Sequence, residues 1–178
     1  MNTSHDLVST VGDYARTTTT GDYAHATATG GHAHAATTGD YAYATTTGGH
    51  ARATTTGNDA RALTAGCSAH ATTTGGHAHA TTTGNDAHAL TAGNYAHALT
   101  AGARAKTSAT GENSIAAAFG ANSYARAADG GFIVLAQYNP DGDTVVAVKT
   151  AQVGRDGIKP DTWYKLSPTG EFVEAEVE

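Results

Sequence analysis

Large aliphatic side chains are scarce in this chain. Leu, Ile, Val and Phe together supply twenty-one of its 178 residues, about 12%, below the roughly 20% under which a chain usually stays disordered. The 39% counted as hydrophobic owes much to alanine, so a conventional oily core is excluded. There is a single cysteine, Cys67. It excludes an internal disulfide and any paired-thiol zinc or redox motif, and it suits a reducing compartment. No 18 apolar residues run together, and the first eleven residues lack a basic stretch followed by an apolar one. Neither a membrane partner nor secretion by the common route is expected.

What the chain has instead is strict periodicity, the one feature that can order so small-sided a sequence. Glycine recurs every ninth residue from Gly12 to Gly120, which makes thirteen units of nine over residues 12–128. The consensus is Gly, then Asp, Asn or Gly, then Tyr, His or Asp, then Ala, His or Arg, Ala, and finally Thr-Thr-Thr or Leu-Thr-Ala. The fourth residue is Ala in the first eleven units, from Ala15 to Ala105, whereas the fifth wanders among Arg16, His25, Tyr43 and Lys106. A fixed small residue beside a variable polar one signals alternation across a strand, inward at the fourth position and outward at the fifth. The sixth and eighth then point in, and the seventh and ninth out. Glycine followed by Asp, Asn or Gly supplies the backbone freedom of a corner. A helix is excluded by a glycine every nine residues and by runs such as Thr17–Thr20.

The expected fold is all-β: a parallel β-solenoid over 12–128, preceded by an N-terminal lead-in at 1–11 and closed by a β cap or oligomerisation segment at 129–178. Two units make a coil of 18 residues, stacking at about 4.8 Å per coil. Backbone ladders, stacked Thr hydroxyls and many small contacts would supply the order. A three-sided coil of 27 residues is the rival, since residues 48–65 and 75–92 are near-identical at that spacing. Near the end, Ile115, Phe119 and Tyr124 replace polar or small outward residues, and Ser114 and Ser123 replace the fourth-position Ala. Something must cover those apolar groups: either the C-terminal segment folded back or a second chain, so a homo-oligomer is expected. Residues 132–138 and 144–153 read as strands around the turn signal Asn139-Pro140-Asp141-Gly142, with a last strand near Phe172.

These units resemble those of uncharacterised tandem-repeat proteins of bacteria and bacteriophages, in which TAGxxAHATTAG-type units precede a short β segment. Here the resemblance runs from Gly12 to the end and includes Gly157-Ile158-Lys159-Pro160-Asp161-Thr162-Trp163-Tyr164. It implies a phage-associated protein of the bacterial cytoplasm or the virion, and no particular activity. The Gly corner with Thr-x-Thr and Leu-Thr-Ala-Gly is similar to bacterial ice-nucleation repeats, although unit length and the His or Arg beside the Thr track differ. Asn113-Ser114-Ile115-Ala116 and Asn122-Ser123-Tyr124-Ala125 resemble pieces of trimeric adhesin heads, which hints at an oligomer.

On an 18-residue coil the fifth positions form two ladders, Arg16, His34, Arg52, His70, His88 and Lys106 on one face and His25, Tyr43, Arg61, His79, His97 and Ile115 on the other. Such stripes would gain charge near pH 6.5 and could bind an anion or a macromolecule; a solvated face is the plainer reading. His32 with His34, and His77 with His79, could share a metal, but the repeat fixes no third ligand, and no metal or other cofactor is expected. The units lack the GGxGxD of calcium-binding β-rolls, and no nucleophile-base constellation or phosphate loop breaks the pattern, so no enzyme is expected. Six Lys/Arg balance six Asp/Glu over 12–128, while 129–178 hold four against nine, which argues against a nucleic-acid partner. Outward pairs such as Thr27/Thr29, Thr45/Thr47, Thr54/Thr56, Thr72/Thr74 and Thr81/Thr83 are like those of ice-binding solenoids, but Leu63/Ala65, Leu90/Ala92 and Leu99/Ala101 interrupt them. The favoured function is a non-catalytic binding protein, with a structural spacer or an ice-binding protein as alternatives.

Overall fold

The structure, a computed structural model, describes residues 6–177, and those residues contain strands and corners but no helix. One sheet holds β1 (Leu7–Val11), β3 (His25–Thr29), β5 (Tyr43–Thr47), β7 (Arg61–Ala65), β9 (His79–Thr83), β11 (His97–Ala101), β13 (Ile115–Ala118), β15 (Phe132–Tyr138) and β16 (Val145–Gln152), in that order. We call it the odd sheet. The even sheet holds β2 (Arg16–Thr20), β4 (His34–Thr38), β6 (Arg52–Thr56), β8 (His70–Thr74), β10 (His88–Ala92), β12 (Lys106–Ala109), β14 (Tyr124–Ala127), β17 (Tyr164–Leu166) and β18 (Phe172–Glu174). Arg16 pairs with His34 and His34 with Arg52, all in parallel, which is the 18-residue coil and disposes of the 27-residue alternative.

Alternation places side chains as the unit pattern requires. Fourth-position alanines such as Ala24, Ala60 and Ala96 are fully buried, as are eighth-position threonines from Thr55 to Thr100. Filling the interior with Ala and Thr brings the two sheets close together, and the backbone ladders carry the coil. The glycines enforce that closeness. A β-carbon on Gly66 would land on the carbonyl of Gly48, and one on Gly57 on that of Gly39. Among the repeat glycines only Gly12 and Gly21, which have no repeat corner beneath them, look into open space.

The corners differ from the reading in one respect. Besides Gly, the third residue carries positive φ in most units, at 54–62° for Tyr23, Tyr41, Asp59, His77 and Asn113 among others but not at Tyr14, His32 or His50, a left-handed value that certain tight turns require at their third residue. The second residue joins one coil to the next through its side chain. Asp22 Oδ1 accepts the N–H of Asp40, Asp40 that of Asn58, and Asn58 that of Gly76.

Stacked Thr hydroxyls do not supply order as the sequence suggested. Rungs about 4.8 Å apart are too far for one hydroxyl to reach the next. Thr100 bonds Thr107 across the core at 2.7 Å, and Thr107 donates to the carbonyl of Ala117. Thr10 and Thr17 repeat the arrangement at the other end. At the same seven-residue offset every intervening Thr meets an Ala, and Thr19, Thr37, Thr46, Thr55, Thr64, Thr73, Thr82 and Thr91 have no hydrogen-bond partner for their hydroxyls. What threonine brings to these places is a branched methyl that packs on a pleated surface.

At the C-terminal end β15 continues the parallel ladder with a shortened step, Phe132 lying on Ile115 seventeen residues before it. Antiparallel strands then finish each sheet, β16 on β15 and β17 with β18 on β14. Ile133, Leu135, Val153, Ile158 and Tyr164 are buried there and close the core with the large side chains that the coils lack.

Two stability outcomes follow. Gly66→Ala should lower the urea midpoint far more than Gly12→Ala: the second meets only backbone strain of about 1–3 kcal/mol, and the first adds an overpacking cost of similar size. Thr73→Val removes an unpaired buried hydroxyl and should be neutral or stabilising, whereas Thr107→Val breaks a bonded pair and should cost about 1 kcal/mol.

Candidate functional site

Corner, strand, corner and return strand give the rod a flat cross-section with two broad faces and two narrow edges. The nine candidate binding residues stand on the two faces of the rod. Arg16, His34, Arg52, His70 and His88 stand in one column of the even sheet, and His25, Arg61, His79 and His97 in one column of the odd sheet. They cannot touch one flat partner together. Within each column the rings stack: His25 on Tyr43 at 4.7 Å, with the Arg61 guanidinium 5.7 Å from the Tyr43 centroid, and His70 on His88 at 4.7 Å. The edges carry further stacks, Tyr14 on His32 on His50 and Tyr23 on Tyr41, each at 5.0 Å.

Stacking alters the titration expected of the His stripes. Burial against neighbours is the first cause lowering the affinity of His34, His70, His79 and His88 for a proton. Neighbouring cations add to it, Arg16 and Arg52 at His34, Arg52 at His70 and Arg61 at His79. His88, between His70 and Lys106, is pushed down to about 4. These four imidazoles therefore gain charge at lower pH than ordinary histidines, below the pH of about 6.5 expected from their type alone. Fixed charge on the columns comes from Arg16, Arg52, Lys106 and Arg61.

Fixing the coil at two units also sorts the charges. The units entering the even sheet hold Arg16, Arg52, Arg104, Lys106 and Arg126 against Asp13 and Asp86, a net +3. Those entering the odd sheet hold Arg61 against Asp22, Asp40, Asp59 and Glu112, a net −3. The fifth residue of each strand adjoins the corner just before it, so most of the positive charge lies along one narrow edge and the negative charge along the other. Asp86 on the basic edge is bonded to Arg104 at 2.7 Å, and Arg104 holds its carboxyl below the usual range. Summed over the whole repeat region the six Lys/Arg and six Asp/Glu cancel; divided between alternate units they do not.

The apolar trio has a plain environment. Ile115 lies on the odd face between His97 and Phe132, Tyr124 on the even face beside Lys106. Phe119 remains 38% exposed, its carbonyl taking the Tyr138 hydroxyl at 2.7 Å. The C-terminal segment extends both sheets edgewise, β16 beside β15 and β17 beside β14. On the even side Trp163 lies against Arg126, 4.8 Å from guanidinium to ring. Ser114 and Ser123, which read as decay of the repeat, are stitches: each Oγ accepts an N–H from the coil before, Ala96 and Ala105, and donates to Gly93 and Gly102.

Among the described residues, no three His, Cys, Asp or Glu side chains cluster to hold a metal ion, and no helix is long and apolar enough to cross a membrane. A cleft of about 570 Å³ opens between the terminal hairpins, lined by Asn122, Gln137, Tyr138, Lys165 and Ser167 among others. The chain matches no protein family, no curated protein and no solved structure.

The lowered His values carry a pH dependence. The folded state disfavours the protonated form, so their contribution is complete above about 6.5, the unfolded value, and is lost as pH falls towards the folded one. For His88 the window runs from there down to about 4. Thermal melts should therefore drop by several degrees between pH 7 and pH 4.5, and His88→Gln should flatten that slope.

Proposed function

We propose that the chain is a non-catalytic binding protein that presents its even side, the column from Arg16 to Lys106 and the edge beside it, to an anionic macromolecular partner. The observation that carries this reading is where variation falls. Inward positions four, six and eight stay Ala or Thr through most of the rod, while exposed positions three and five change from unit to unit. A scaffold whose buried residues are held constant while its surface varies is built for display. Cations concentrated on one side give that display a sign. The resemblance to bacterial and phage repeat proteins supplies the setting, and a spacer role in a virion or cell surface is the competing reading.

A second reading has its own observation. The interruptions in the Thr-x-Thr track fall unevenly: the even face holds Thr18/Thr20, Thr54/Thr56 and Thr72/Thr74, with Ala36/Thr38 between the first two, before Leu90 ends the run. Thermal hysteresis abolished by Thr54→Tyr and Thr72→Tyr would transfer the function to ice.

Retention on an immobilised polyanion such as heparin, followed by pull-down from bacterial lysate, tests the main reading. Replacing Arg16, Arg52, His70 and His88 by Ser should cut retention at least about tenfold, the loss of a 1.4 kcal/mol interaction, while replacing Arg61, His79 and His97 should not. Equal behaviour of the two sets would leave the spacer in its place.

A further inference from the structure

We propose that the acidic partner of the basic edge is the opposite edge of a second copy, so that rods assemble side by side, parallel and in axial register. This rests on the binding reading above and names its partner.

Matched spacing carries the inference. Counting rungs from β2 and β3 as the first, Arg16 and Asp22 lie at rung one, Arg52 and Asp59 at rung three, and Lys106 and Glu112 at rung six. From Arg16 to Lys106 is ninety residues, and from Asp22 to Glu112 is also ninety, five coils each. Two parallel copies set edge to edge therefore bring opposite charges together at all three levels without any axial shift. Asp40 adds negative charge between the first two.

The exceptions do not cancel the pattern. On the basic edge Asp86 is tied to Arg104, and Asp13, bonded to the next coil just as Asp22 and Asp40 are on the acidic edge, offsets part of the charge at the first rung alone. On the acidic side Arg61 leans over the Tyr43 ring. A neighbour shifted by a rung would set Arg52 against Asp40 but move Arg16 and Lys106 off Asp22 and Glu112. An antiparallel neighbour would reverse the order of levels and match fewer of them. Because the two edges differ, the contact is heterologous and does not close, and each added copy offers the next a fresh edge. Contacts between exposed charges are weak singly and screened by salt, so assembly should be concentration-dependent and favoured at low ionic strength.

The chain carries its own reporter of register. Cys67 is exposed at the second position of the basic edge at rung four. The same level of the acidic edge is Gly76, whose backbone is ordinary in φ and has room for a side chain. Within one chain the two positions sit on opposite edges, a five-residue strand apart, about 17 Å, too far for a disulfide. In the proposed assembly they face each other between chains.

Sedimentation velocity of the intact chain at about 20 mM and about 500 mM salt, chosen to bracket the screening range, supplies the first test. Oligomers at low salt that dissociate at high salt are expected. Asp22→Asn, Asp40→Asn and Asp59→Asn together remove charge yet keep an amide able to bond the next coil, as Asn58 does natively, and should weaken association at least about tenfold, the loss of a 1.4 kcal/mol interaction. Arg16→Glu, Arg52→Glu and Lys106→Glu make both edges acidic; Asp22→Lys, Asp40→Lys and Glu112→Lys make both basic. Each set alone should be monomeric, and the two mixed should co-assemble. Under mild oxidation Gly76→Cys should give a ladder of covalent multimers, while Glu112→Cys, two rungs away, should not. A monomer at low salt, oligomers indifferent to salt and to both charge sets, or equal cross-linking from 76 and 112 would overturn the proposal. If the monomer still loses heparin retention through Arg16 and Arg52, the binding reading stands without self-assembly.

Discussion

A glycine resting on the carbonyl of the glycine eighteen residues before it sets the scale for the whole rod. With no β-carbon between them, successive corners approach at the spacing of a sheet, and both ladders run unbroken through the turns. At that spacing the strands of one coil face each other across a gap that Ala and Thr fill. The near absence of Leu, Ile, Val and Phe from the interior is a consequence of this contact. Among the described residues, large aliphatic side chains enter the core where the glycine column ends, as at Ile133 and Leu135.

The same closeness decides what the surface can do. Outward residues stand in columns one rung apart, so rings at the third and fifth positions stack face to face, and their edges are what solvent meets. Packed in this way, His70 and His88 shed protons more readily than free imidazoles, and the guanidiniums and ammonium supply the lasting charge. The surface is thus organised by fixed cations and carboxylates on narrow edges and by neutral hydroxyls and rings on broad faces.

Much of this was legible from residue order. The constant Ala15 to Ala105 beside changing fifth residues separated inside from outside, and the glycine period located every corner through Gly120. Less visible was which residue of the corner turns left-handed, because Tyr, His, Ser and Arg hold that conformation at Tyr23, His77, Ser68 and Arg104 and none announces it by type. Asp22 and Asn58 looked like turn formers and proved to be bonds between coils, a role that depends on what lies eighteen residues away. Ser114 and Ser123 looked like decay for the same reason. The division of charge does not show in a sum over the repeat region, because it belongs to alternate units.

That alternation gives the rod a parity. Residues 48–65 and 75–92 are near-identical blocks an odd number of units apart, so the unit of β6 lies in the even sheet and its counterpart in β9 lies in the odd one. The interior cannot tell them apart, since both sheets accept the same Ala and Thr. The edges can. Gain or loss of two units by slippage in the gene would lengthen or shorten the rod and leave its sides as they were. Gain or loss of one would exchange the sides of everything downstream, moving each later lysine, arginine and carboxylate to the opposite edge of a fold that is otherwise unchanged.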